Sequence, residues 1–320
     1  MQTNILKESN YSINKAVKFL KSGFLVAIKT ETVYGIACDP SNLKSIEKVY
    51  NLKKRPLFNP LIIHVDSIKM ANKIAIMSKL AKKIAYEFWP GPLTLILPRK
   101  KNKIIEDLSV SGLESVAVRI PRSSVFLKTI CKFKKPIAAP SANISGYITS
   151  TNSEHVHDSF GEKIELIIDS GKSLYGLEST ILDLCSPKKA IIRRLGVITP
   201  DEITKRIGLK PLIKDTITEG EKPVSPGLIL KHYAPNTPLK INIKNPQKGD
   251  ALLNFGKSCS KNFKPSLNLS KEGCLYEAAR NLFDYLRKLD KLSMKRIVVM
   301  PIPKTGIGKT INERLVRAAS

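Results

Sequence analysis

Apolar residues in the first half of the chain switch repeatedly between helical spacing and short unbroken runs, which restricts it to folds that layer helices on a sheet. SINKAVKFLKSG (12–23) has helical spacing and ends at Gly23, and FLVAIKTETVYGIACD (24–39) reads as an apolar strand running into a polar turn. LKSIEKVYNLKKRP is a second helix, stopped by Pro56 because proline lacks an N–H and blocks the preceding turn. LIIHV (61–65) is a strand, SKLAKKIAYEFWPGP a helix ended by Pro90, and LTLILP (93–98) and SVAVRIP (115–121) are strands. SVFLKTICKF is helical, and PIAAPSANISG (136–146) is a short strand entering a polar loop. Strands then cluster, in IELIIDSG, LESTILDL and AIIRRLGVITPDEI, the last leading into a helix. The expected class is α/β with an open, twisted mixed sheet, not a repeating βαβ unit.

At 320 residues and 42% apolar, the chain is long for one core, so two domains are expected. Boundaries are set at 1–208, a Pro-rich linker at 209–237 with Pro211, Pro223, Pro226 and Pro235, and 238–320. The last segment reads as a smaller βαβα unit: ALLNFG, LYEAARNLFDYLRKLD, RIVVMPIP and INERLVRAA. No run approaches the ~18 apolar residues of a membrane span, and no signal-peptide pattern opens the chain, so a cytoplasmic protein with no membrane partner is expected. Cys38, Cys131, Cys185, Cys259 and Cys274 form no C-x-x-C pair, and with four histidines neither a structural zinc site nor a disulfide framework is expected. The 54 Lys and Arg against 27 Asp and Glu give a formal charge of +27, which favours anionic partners such as nucleotides or RNA. The lysines are spread along the chain, however, and charge alone names no ligand.

Polar clusters at strand ends carry the chemistry. KTETVYG follows a strand, KKRPLFNP precedes one, PSANISG follows one and ESTILD lies at one. Singly, each reads better as structure: Thr30 and Thr32 as turn residues, Ser141 and Asn143 as a self-capping loop, His64 as a core histidine. Four in one domain shift the balance towards a ligand crevice at the strand ends. PKTGIGKT (303–310) imitates a phosphate-binding loop, but G-x-x-x-x-G-K-[ST] needs glycine where Pro303 stands.

In order, T-E-T-V-Y-G (30–35), K-x-R-P-x-x-N-P-L-x-x-H (53–64), P-S-A-N-x-S-G (140–146), E-S-T-x-x-D (178–183) and R-x-G-x-I-T (194–199) resemble the YrdC-type threonylcarbamoyl-AMP synthase family. SPGLILKHYAP (225–235) and PIPKTGIGKTINERLVRAA (301–319) resemble its longer, two-domain branch. The resemblance implies a YrdC-like catalytic domain with an open twisted mixed sheet, a linker that acts as a lid, and a smaller Rossmann-like α/β domain in which GIGKT is structural. It also implies the reaction: L-threonine, bicarbonate and ATP condense to L-threonylcarbamoyladenylate and pyrophosphate. A downstream transferase then modifies the adenosine next to the anticodon of tRNA. ATP enters as substrate with Mg2+, and no residue is assigned as a metal ligand.

By the same resemblance, Lys53 and Arg55 face the phosphates, with Arg able to fork across two oxygens and Lys acting as a point charge. Asn59, Ser115 and Thr149 contact the nucleotide, and Ser141 and Asn143 face ATP and carbamate. Thr32, Tyr34, His64, Arg119, Ala139 and Ser179 surround threonine, with Arg119 clamping its carboxylate. The motif arginine is Arg194, while an ungapped count from Ser179 gives Arg193; on a regular strand the two point to opposite faces. Tyr233 is expected to reach over the nucleotide, with Pro223, Pro226 and Pro235 stiffening the lid. Lys54 is expected to face solvent. Two other readings make different predictions: a non-catalytic RNA-binding module, and an NTPase centred on Lys309.

Overall fold

The computed structural model describes residues 4–186, 189–214, 232–257 and 263–320. Chain order begins β1 (Asn4–Lys7), α1 (Asn10–Lys21), β2 (Val26–Lys29), β3 (Tyr34–Ala37), α2 (Leu43–Lys53) and β4 (Ile62–His64). It continues through α3 (Ile68–Ile74), α4 (Lys79–Phe88), β5 (Leu93–Pro98), β6 (Ser115–Arg119), α5 (Ser124–Phe133) and β7 (Ile137–Ala138). Next come α6 (Ser153–Phe160), β8 (Leu166–Asp169), β9 (Thr180–Asp183), β10 (Ile191–Arg194), α7 (Pro200–Ile207) and β11 (Leu212–Ile213). The last domain holds β12 (Leu239–Ile241), β13 (Asp250–Asn254), β14 (Ser266–Asn268), α8 (Leu275–Asp290), β15 (Arg296–Val299) and α9 (Gly308–Ala318).

The first domain is mixed, as expected. A seven-stranded sheet runs β11-β10-β9-β5-β6-β4-β7, and a four-stranded sheet runs β1-β8-β2-β3. Two strands of the second, β2 and β3, come from 24–39, which reads in sequence as an apolar strand running into a polar turn. Four residues, Thr30 to Val33, turn it into an antiparallel hairpin in which Val26 faces Ala37 and Lys29 faces Tyr34. The sheets meet where the Ile36 and Cys38 N–H groups donate to the Pro140 and Ala138 carbonyls, each at 2.9 Å. That junction draws the TETVYG turn and the PSANISG loop together.

Helices α2, α3, α4 and α7 cover one face of the large sheet, burying Ile63, Leu93, Leu95, Val116, Val118 and Leu182 in a common core. Helices α1 and α5 pack on the smaller sheet through Ile13, Leu20, Phe126 and Ile130. Local chemistry sets the helix limits. Helix α7 has a capping box from Thr199 and Glu202, Pro200 in its first turn, and Gly208 at its end with φ 77°. Helix α2 ends at Lys53, before Pro56, because Lys54 turns left-handed at φ 50°.

The last domain is an all-parallel sheet of order β12-β15-β13-β14 flanked by α8 and α9. It has two strands more than the sequence pattern suggests. Strands β12 and β14, LKI and SLN, have only three residues each and are too short and polar to show a period. The domain shares its core with the first, since Ile148, Leu177 and Val197 cluster with Tyr233, Phe283 and Leu315. Of the expected linker, 215–231, including Pro223 and Pro226, lies outside the described residues.

GIGKT caps α9 as a structural corner. A Cβ on Gly308 would sit 2.1 Å from the Pro303 carbonyl oxygen, and the Thr310 hydroxyl donates to the Gly196 carbonyl at 3.0 Å. Gly196 itself presses on the entry to β9, where a Cβ would lie 2.3 Å from the Thr180 nitrogen. Backbone cannot yield that distance. Gly196→Ala should therefore lower the melting temperature by about 5 °C or more, the scale of overpacking a tight site. A thermal melt within about 2 °C of the parent would refute this close-packing account.

Candidate active site

Where the sheets join, a polar cavity is lined by the Thr30–Gly35 hairpin turn, Arg55, the ends of β4 and β6 at His64 and Arg119, and Ala139 to Ser141. Glu178, Ser179, Arg194 and His232 complete the wall. Nine of the residues named from sequence line it: Thr32, Tyr34, Arg55, His64, Arg119, Ala139, Ser141, Ser179 and Arg194.

The left-handed turn at Lys54 accounts for KKRPLFNP. It leaves Lys54 exposed while Lys53 and Arg55 both turn inward, 1% and 8% exposed. The Lys53 amine donates to the Ser141 and Asn143 carbonyls, so it fixes the PSANISG loop and does not line the cavity. Burial, with Arg55 adding to it, pushes the Lys53 pKa well below that of an ordinary lysine. Arg55 donates to the Asn59 carbonyl at 2.9 Å, the Asn59 side-chain oxygen at 2.7 Å and the Pro60 carbonyl at 2.8 Å. Asn59 thus positions Arg55 from behind the cavity wall. Burial pushes the Arg55 guanidinium down to about 10, which leaves it charged at neutral pH.

Arg119 reaches from β6 to the TETVYG turn. Its guanidinium pairs with Glu31 and donates to the Thr32 hydroxyl at 3.0 Å and the Gly91 carbonyl at 3.0 Å. Thr32 shares a 2.7 Å hydrogen bond with Thr30. Tyr34 lines the cavity, and its hydroxyl donates to the Gly171 carbonyl at 2.8 Å and accepts from the Ser170 N–H. His64 is 3% exposed, packs on Phe126 at 4.9 Å, and is held near pKa 3 by burial and then by Arg119. It is a neutral side chain whose Nδ1 has no partner among the described residues.

Asn143 donates to the Ile144 and Tyr147 carbonyls and braces the loop, leaving Ser141 to face the cavity. Thr149 is fully buried and donates to Glu178 at 2.8 Å, so it acts on the wall and does not line it. Glu178 also accepts from Arg314 at 3.0 Å; burial alone would raise its pKa, but Arg314 and Arg194 outweigh it and hold the carboxyl near 2.

A β-bulge settles the arginine pair. The register runs from Ile192–Leu182 directly to Arg194–Ile181, leaving Arg193 as the extra residue and overriding strand alternation. Arg194 enters the cavity and donates to the Ser179 carbonyl at 3.1 and 3.0 Å. Arg193 is taken by Asp183 at 2.9 Å. On the same sheet face, Ile62, Ile96, Ala117 and Ile181 make a small apolar floor. Ser115, two residues from Ala117, therefore points to this face but at the far end of β6 from Arg119.

Tyr233 does not reach over the cavity. At φ 67° it turns into the second domain, stacking on Phe283 at 5.3 Å with Arg314 4.9 Å from its ring. The linker residue at the cavity is its neighbour His232. Sequence reasoning also missed Thr30, Glu31 and Glu178 as site residues, although each lies inside a motif it had singled out.

A family model described as telomere recombination, covering Sua5, YciO and YrdC proteins, matches residues 18–195. A second, described as the threonylcarbamoyl-AMP synthase C-terminal domain, matches 198–320. A threonylcarbamoyl-AMP synthase of Bacillus subtilis is 34% identical across 99% of this chain and 95% of its own length. The chain belongs to the threonylcarbamoyl-AMP synthase family. A Pyrococcus abyssi threonylcarbamoyl-AMP synthase is 35% identical across 97% of this chain and 94% of its own. The P. abyssi Sua5 crystal structure complexed with L-threonine superposes with a TM-score of 0.91 at 32% identity, covering 100% of this chain and 98% of that one. Escherichia coli YciO shares the fold over 61% of this chain, at 19% identity and a TM-score of 0.55. These threonylcarbamoyl-AMP synthase relatives span both domains.

The charge states make stability depend on pH. Folded His64 titrates near 3, below the ordinary 6.5, so the unfolded chain binds more protons as pH falls. The stability that His64 contributes is complete above 6.5 and is lost towards 3. Glu178, held near 2 against its ordinary 4.5, loses its contribution in the same direction at lower pH. Urea melts should show a loss on the order of 1–2 kcal/mol from His64 between about pH 7 and about pH 5, and His64→Gln should flatten that slope.

Proposed function

We propose that this protein condenses L-threonine, bicarbonate and ATP into L-threonylcarbamoyladenylate and pyrophosphate, the first step of threonylcarbamoyl-adenosine modification of tRNA. The observation that carries the reading is the division of the cavity. One cavity holds Arg119 with Thr32 on one of its walls and Arg194 with Ser179 on another, and of its arginines Arg55 and Arg194 contact no carboxylate among the described residues.

In this reading the cavity receives threonine at the Arg119 wall. Arg119, braced by Glu31, presents its guanidinium to the carboxylate, with the hydroxyls of Thr32 and Ser179 and the Ala139 backbone around the rest. Neutral His64 offers a hydrogen-bonding nitrogen without adding charge. The deprotonated amino group bonds to the bicarbonate carbon, a C–O bond breaks and water leaves, and an oxygen of the resulting carbamate attacks the α-phosphorus as pyrophosphate leaves. Arg55 and Arg194 supply positive charge where negative charge develops, and Ser141 supplies a hydroxyl at the same wall. The nucleobase and ribose lie along the floor towards Ser115 and Arg193. Lys53, Asn59, Asn143 and Thr149 hold these groups in place from behind.

Mg2+ comes with the nucleotide, since both Glu178 oxygens already serve Thr149 and Arg314. A cytoplasmic site of action, transfer of the adenylate to a tRNA-modifying transferase, and weak RNA contact through the +27 formal charge belong to the same proposal. Among the described residues, no helix is long and apolar enough to cross a membrane.

Pyrophosphate release with ATP and bicarbonate tests it: L-threonine should stimulate release well above L-serine or no amino acid. Arg55→Ala should cost about a hundredfold and Ser141→Ala about tenfold. Exposed Lys54→Ala and Lys309→Ala should stay within about twofold of the parent. Release that ignores threonine, or that depends on Lys309, defeats the reading.

A further inference from the structure

Arg314 belongs to α9 of the second domain, yet its side chain is 1% exposed and lies against the cavity wall of the first. It donates to Glu178 at 3.0 Å and to the Leu195 carbonyl at 2.7 Å, beside Arg194. It pairs with Glu313 on its own helix, and its guanidinium carbon lies 4.9 Å from the Tyr233 ring, next to His232. One side chain thus touches three segments that build the site.

The charges give this contact a purpose beyond packing. Glu178 and Arg194 both line the cavity, and among the described residues the hydrogen bonds of the Arg194 guanidinium go to the Ser179 carbonyl and hydroxyl. A buried carboxylate that loses its cation is left uncompensated, which is strongly unfavourable, and the nearest remaining guanidinium becomes its partner. For Glu178 that guanidinium is Arg194. An Arg194 neutralised by Glu178 no longer offers its charge to an anion.

We propose that Arg314 is a positioning residue of the second domain that occupies Glu178 and thereby keeps Arg194 available for the substrate's phosphates. This rests on the nucleotide reading of the cavity given above. Arg314 itself touches no substrate; it acts through Glu178 and the Leu195 carbonyl. The second domain then helps to set the affinity of a site built mainly from first-domain residues.

Titration of the full chain with a non-hydrolysable ATP analogue, with steady-state pyrophosphate release alongside, tests it. Arg314→Met should weaken analogue binding and raise the KM for ATP about tenfold or more, with a smaller effect on kcat. Adding Glu178→Gln to Arg314→Met should recover most of the loss, because the carboxylate that captures Arg194 is gone. Arg314→Lys, which keeps a cation beside Glu178, should fall between the parent and Arg314→Met. If Arg314 only held the fold, the double variant would bind as weakly as Arg314→Met or worse, and that result overturns the proposal. An unchanged KM in Arg314→Met overturns it too. Should Arg314→Met fail to fold, the double variant decides: analogue affinity within about threefold of the parent supports the proposal, and a loss of about tenfold overturns it. Failure of the nucleotide reading shows separately, as a parent protein that neither binds the analogue nor releases pyrophosphate.

Discussion

Buried positive charge is the constraint on which this molecule is organised. Lys53, Arg55, Arg119, Arg194 and Arg314 are each less than a tenth exposed, and an ion taken out of water costs several kcal/mol unless it is well partnered. The fold answers in two ways. Arg119 and Arg314 are matched by Glu31 and Glu178. Lys53, Arg55 and Arg194 are satisfied by carbonyl, amide and hydroxyl oxygens, which complete their hydrogen bonds without cancelling their charge. The first group fixes the geometry, and the second leaves a field for an anion to complete.

The main-chain architecture serves that arrangement. A left-handed residue at the end of α2 turns Lys53 and Arg55 to the same side, and a bulge in β10 frees Arg194 from its neighbour's partner. The hairpin turn places Thr30, Glu31 and Thr32 opposite Arg119. Each device is a departure from regular helix or strand, where such departures commonly re-aim a side chain.

Much of this was legible in the sequence. The mixed sheet and the strands β4, β5, β6, β9 and β10 follow from period, while the cavity residues Thr32, Arg55, His64, Arg119, Ser141 and Ser179 came from the family resemblance of the motifs. What was not legible depends on distance or on local backbone. Strands β1, β12 and β14 are short and largely unburied, so no apolar run marks them. Arg193 and Arg194 could not be separated because alternation fails at a bulge. Tyr233 was expected at the nucleotide, but at φ 67° it turns into the second domain and His232, for which no place was expected, lines the cavity. Lys53, Asn59, Asn143 and Thr149 were placed in the right neighbourhood, yet whether a polar side chain meets a ligand or a protein group depends on local backbone for Asn59 and Asn143 and on distant partners for Lys53 and Thr149.

Glu178 and Arg314 are 136 residues apart in sequence, a separation that gives the ion pair a meaning in time as well as in space. On a ribosome adding about 5–20 residues each second, roughly ten seconds pass between the emergence of the glutamate and that of its cation. During that interval Glu178 has no Arg314 to pair with, and the guanidinium nearest to it is that of Arg194. The nascent chain is thus electrostatically a different molecule from the finished one, and α9 ends that state when it docks.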